Sequence, residues 1–92
     1  MEDQIILLYS CDEWKSNSKV IMATTSMDDL KKGIVHNIKE GNMVYTNSGN
    51  ADFPIEESLK LFETDWDEKD ARTINDRLMY GFFGAVTDGE LF

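Results

Sequence analysis

Ile5-Ile6-Leu7-Leu8-Tyr9 is an unbroken apolar run close to the start of the chain, and it constrains the fold more than any other feature. It is too short for an ordinary helix, rich in β-formers and without polar alternation. It therefore predicts a strand buried on both faces, central in a sheet. Lys19 to Thr25 reads as a second strand. The polar stretch Ser10 to Ser18 between them, with turn-forming Ser and Asn, is long enough to let the two pair as an antiparallel hairpin.

A helix follows from Ser26, whose hydroxyl can accept from first-turn N–H groups while Asp28 and Asp29 face the positive end of the dipole. Met27, Leu30, Ile34 and Ile38 make one apolar stripe, and Gly41 can close the helix in the left-handed conformation. Gly33, costly in a helix interior, is a candidate for close approach to the sheet. Asn42 to Thr46 reads as a short third strand and residues 47–52 as a loop. Pro54 then suits the first turn of a second helix carrying Ile55, Leu59, Phe62 and Trp66. A break near Asp65 to Asp70, with Asp65 or Asp67 as cap, starts a third helix on Ala71, Ile74 and Leu78. Met79 to Thr87 reads as the last strand, followed by an Asp88-Gly89 turn. Glu90, Leu91 and Phe92 are too few for a substantial returning strand.

The expected fold is a single α+β domain, a small mixed layer of about four strands with two to three helices mainly on one face, in the order β-β-α-β-α-α-β. At 92 residues there is room for one hydrophobic core. The core margin at this size is thin, which leaves a homodimer open.

Nine basic against 18 acidic residues give a formal net charge of −9. No basic run, RNA-binding aromatic motif or Cys/His finger accompanies it, so direct nucleic-acid binding is not expected, and an anionic membrane would repel the chain. The plain meaning of such charge is solubility. The sharper one is attraction to a basic protein surface. Cys11 is alone and cannot form an internal disulfide. The acidic start Met1-Glu2-Asp3-Gln4 is unlike a secretory signal, and Ile5 to Leu8 is too short for a membrane span, so the expected location is the cytoplasm.

Signatures of catalysis are missing. His36 has no second ligand at metal-binding spacing, and the acids beside Cys11 oppose thiolate formation. The six glycines form no phosphate cradle. Asp65-Trp66-Asp67 has the look of a calcium loop but lacks its central Gly and closing Glu. No enzyme, metal or cofactor is expected.

Two regions are candidates for binding a partner. Asp12-Glu13-Trp14-Lys15 places a Trp between charges in a loop, where it either anchors a partner or folds over the sheet edge. The second is an acidic band containing Asp52, Glu56, Glu57, Glu63, Asp65, Asp67, Glu68 and Asp70, with Trp66 among them, against Lys60 and Lys69 only. Eight acids less two bases leave −6, the larger part of the net charge. Carboxylates at that density can imitate phosphates and compete for an Arg/Lys-lined groove. An ordinary solvated helix face, with Glu56 and Lys60 as an i,i+4 pair, has the same pattern.

The stretch Leu8-Tyr9-Ser10-Cys11-Asp12-Glu13-Trp14-Lys15-Ser16 and the stretch Ile74-Asn75-Asp76-Arg77-Leu78-Met79-Tyr80-Gly81-Phe82 resemble short acidic proteins encoded by phages and mobile elements of Firmicutes. The resemblance implies a context in which such proteins inhibit a host or defence protein, as anti-CRISPR and anti-restriction factors do, and a defence nuclease as partner. It implies no catalytic residue. Two other functions fit the composition: a nucleotide-sequestering module stacking a base on Tyr9, Trp14, Trp66 or Tyr80, or an assembly or regulatory subunit pairing through Phe82 to Val86.

Overall fold

The computed structural model describes residues 5–86. The acidic start and the Asp88-Gly89 turn with Glu90, Leu91 and Phe92 lie outside the described residues. The fold is α+β: strands β1 (Ile5–Ser10) and β2 (Lys19–Thr24), helix α1 (Met27–Lys39), strand β3 (Val44–Tyr45), helices α2 (Ile55–Glu68) and α3 (Ala71–Arg77), and strands β4 (Leu78–Met79) and β5 (Gly81–Val86). This is the expected order, with the final strand divided in two. Tyr80, at a φ of 66°, makes the division, turning the chain out of one sheet and into the other.

β1 is central, paired antiparallel with β2 on one side and β5 on the other. β3 and β4 form a separate antiparallel pair. Side chains alternate across a strand, so Ile6 and Leu8 of β1, with Met22 and Phe83 opposite Leu8, share one face. Against it pack Leu30, Ile34 and Ile38 of α1, with Phe62 and Trp66 of α2 and Ile74 of α3 completing the core. The expectation that β1 is buried on both faces is corrected here. Ile5 is 45% exposed, and Leu7 and Tyr9 are half-buried, because no described helix covers the second face.

Local signals explain the helix ends. Ser26 Oγ accepts from the Asp29 N–H, and Gly41, at a φ of 78°, follows the last turn of α1. Pro54 sits at the N-cap of α2 rather than inside it. Contrary to the expected break, α2 runs through Asp65 and Asp67 to Glu68. The cap of α3 is Asp70, whose Oδ1 accepts from the Thr73 N–H at 2.9 Å. Asp65 cannot cap, because its side chain is engaged inside the protein. Leu78, expected on α3, is the first residue of β4.

Candidate functional site

The loop between β1 and β2 is organised by one carboxylate. Asp12 Oδ1 accepts from the backbone N–H groups of Trp14 (3.0 Å) and Ser16 (2.8 Å), and Oδ2 accepts from Asn17 Nδ2 (3.0 Å). The Ser16 N–H first, then those of Trp14 and Asn17, hold the Asp12 carboxyl below its ordinary pKa. Lys15 and Asn17 both adopt positive φ, at 57° and 52°. Asn tolerates this conformation; for Lys it is a cost.

That cost is offset by where the Lys15 side chain goes. Its ammonium donates to the backbone carbonyls of Asn75 (3.3 Å), Leu78 (3.1 Å) and Gly81 (3.2 Å), and lies 5.7 Å from the centre of the Phe82 ring. Partial burial pushes its pKa below the usual lysine value. The loop is thereby tied to the end of α3 and the start of β5. Trp14 does not fold over the sheet edge. With Asp12 bonded within the loop and Lys15 reaching back to the protein, it stands out, 77% exposed, beside the exposed Glu13.

The acidic band does not survive intact. Asp65 is only 3% exposed. It lies one and two turns beyond the buried Phe62 and Ser58, on the core side of α2, where its Oδ2 accepts from the Tyr45 hydroxyl (2.7 Å) and from Arg77. Burial first, and then this bond, push the Tyr45 hydroxyl above its usual pKa. Arg77 is raised chiefly by its bond to Asp65. Asp65 therefore belongs to a buried polar cluster joining β3, α2 and α3. Trp66 packs against Phe62 and Phe83 at the margin of the core, half-buried.

The remaining seven acids of the band, Asp52, Glu56, Glu57, Glu63, Asp67, Glu68 and Asp70, are exposed. Against Lys60 and Lys69 they leave a local charge of −5. Helical spacing divides those on α2 into two stripes. Glu56, Glu63 and Asp67 share one with Lys60, and within it Glu63 pairs with Lys31 of α1 at 3.0 Å. Lys31 is raised by that bond first and further by the charges of Glu63 and Asp67. Glu57 and Glu68 form the other stripe with Thr64, and Glu57 and Thr64 border a shallow groove with Asn47 and Phe53. No hydrogen bond or ion pair among the described residues joins the Trp14 loop to α2.

Among the described residues no three His, Cys, Asp or Glu side chains converge to hold a metal ion. His36 is exposed on α1. The Cys11 thiol is pushed up first by burial and, less, by Asp12, while Lys15 opposes the shift. An open groove of about 550 Å³ between α1 and α2 is lined by Lys31, Lys32, His36 and Lys39 with Asp28, Val35 and Glu63. None of Tyr9, Trp14, Trp66 and Tyr80 lines it, so it lacks a stacking surface for a base. No described helix is long and apolar enough to cross a membrane. Protein-family models, curated proteins and solved structures yield no match to this chain.

Proposed function

We propose that the chain is a non-enzymatic binding protein that occludes a basic, nucleic-acid-binding surface of another protein. The observation that carries the reading is the exposure of seven carboxylates within residues 52–70, most of them on the outward side of one helix. Such a surface attracts a polycationic groove from a distance and raises the rate of encounter. Steering alone does not hold a complex. Trp14, on a loop already fixed by Asp12 and Lys15, supplies a rigid apolar anchor that loses little entropy on binding.

The stripe containing Glu57 and Glu68 is the stronger contact candidate, because Lys31 already engages Glu63. A defence nuclease has a groove of the required charge, and the resemblance to phage and mobile-element proteins favours that partner, with the chain working in the cytoplasm as an anti-CRISPR or anti-restriction inhibitor.

The test is capture of partners from a host lysate on the immobilised protein, followed by competition with DNA. Binding should weaken markedly between low and high salt. Joint neutralisation of Glu56, Glu57, Asp67 and Glu68 to their amides should abolish competition with DNA, and Trp14→Ala should speed dissociation. Binding that ignores salt and these amides would sink the reading.

A further inference from the structure

β1 carries an apolar residue at every position from Ile5 to Tyr9, the pattern of a strand covered on both sides, yet the described residues cover one side only. The second face is formed by Ile5, Leu7 and Tyr9, with Val20 and Ala23 of β2 and Phe82 of β5. Val20 is 50% exposed. Tyr9 and Phe82 stack toward one end of it, ring centroids 4.6 Å apart and 13° from parallel, with the Lys15 ammonium 5.7 Å from the centre of the Phe82 ring.

We infer that this face is where a second copy of the chain docks, sheet against sheet, in a symmetric dimer. Charge selects the occupant. None of the 18 acids lies in β1, β2 or β5, whose sole charged residue is Lys19. A second copy brings the same −9 and is repelled by the helical layer. Stacking through the acid-free faces leaves both sets of acidic helices pointing outward. A basic partner, by contrast, finds no carboxylate on these strands to pair with.

Size sets the strength. Six residues at about 3.3 Å each and three strands about 4.8 Å apart give a face of roughly 20 by 14 Å. Two such faces, with side-chain relief, bury roughly 1,000 Å², near the lower limit for a specific interface. The dimer is therefore weak and concentration-dependent. This surface is separate from that of the proposed function, and its salt response is opposite, since salt screens the repulsion between copies.

Sedimentation velocity on the full chain over a range of concentrations tests the inference. The expected result is a reversible dimer that tightens as salt is added. Ile5→Lys with Val20→Lys, both at exposed positions, should weaken it about tenfold or more. Ile55→Lys, an exposed apolar site off the sheet, should leave it unchanged. Circular dichroism and thermal melting confirm that each variant is folded. A monomer at every concentration and salt overturns the inference, as does a dimer indifferent to the double substitution. So does a monomer whose melting temperature falls sharply on that substitution, which would mean that the chain itself covers the face.

Discussion

Asn75 is bonded to Phe83 through both ends of its side-chain amide: Nδ2 donates to the Phe83 carbonyl at 2.7 Å, and Oδ1 accepts the Phe83 N–H at 2.9 Å. A side chain on α3 thus replaces a neighbouring strand at the open edge of β5. Two residues earlier, the Gly81 carbonyl is taken by Lys15. Unpaired edges invite pairing with other chains, and these contacts block this one. They also disfavour assembly through Phe82 to Val86. Asn75→Ala should destabilise the protein by about 1–2 kcal/mol, through the unsatisfied Phe83 groups. It should also raise thioflavin binding on mild heating, whereas the parent protein stays clear.

Lys15 has three carbonyl partners, and no other residue type reaches them with a compact set of donors. Lys15→Met keeps the aliphatic stem over Phe82 and removes the donors. The loop should then loosen, lowering stability by about 1–2 kcal/mol and shortening the decay of fluorescence anisotropy at Trp14 in a Trp66→Phe background. An unchanged decay would show that Asp12 alone holds the loop.

Periodic features were legible in one dimension; contacts between distant segments were not. The central position of β1, the hairpin with β2 and the Leu30, Ile34 and Ile38 positions of the α1 stripe follow from local pattern, and the structure has them; Met27, expected in the same stripe, is 49% exposed at the first turn. The role of Asp65 does not. Nothing beside it distinguishes it from Asp67, and its partners Tyr45 and Arg77 come from other elements. Its spacing from Ser58 and Phe62 was the only available signal, and Ser58 does not read as a core residue. Likewise Trp14 and Trp66 look alike as aromatics among acids. Only packing separates the ring that stands free from the one laid against the core.

Tyr45→Phe tests that buried cluster. The ring stays, edge-on to Phe62, while Asp65 loses a donor. Stability should fall by about 1–2 kcal/mol. Asp65→Asn should lower the melting temperature further, because Arg77 then faces a neutral amide. Were Asp65 a surface member of the acidic band, its neutralisation would instead relieve repulsion and raise the melting temperature.

Gly33 sits where α1 comes closest to the sheet: a Cβ there would lie 2.5 Å from Met22 Sδ and 3.5 Å from Leu8 Cδ2. That sulfur is at the far end of a flexible, half-buried side chain, which can swing aside at small cost. Ala is the better helix former by about 1 kcal/mol, so Gly33→Ala should leave the parent protein near its present stability, the repacking of Met22 offsetting most of the gain. With Met22→Ala nothing has to move, and the same substitution should stabilise by about 1 kcal/mol. Chemical denaturation of the four proteins in this cycle would show the difference.

Acid should release the two capped segments before it unfolds the core. The Asp12 and Asp70 carboxyls are both held below their ordinary values, Asp12 chiefly by the Ser16 N–H and Asp70 chiefly by the Thr73 N–H. A carboxylate whose folded pKa is depressed contributes stability that is complete above its unfolded value, about 3.9, and is lost as pH falls through the lower folded value. Self-repulsion works in the opposite sense, since protonating the many exposed acids lowers the net charge from −9. Because the Asp12 and Asp70 carboxyls are held below the ordinary range, their contribution is lost only toward the acid end of the titration. Melting temperature should therefore hold or rise slightly on acidification toward pH 4 and fall beneath it. The Ser16, Trp14 and Thr73 amide resonances should titrate with midpoints below that of a model aspartate. In Asp12→Ala the Ser16 and Trp14 shifts should vanish while that of Thr73 persists, which separates a local cap from a global acid transition.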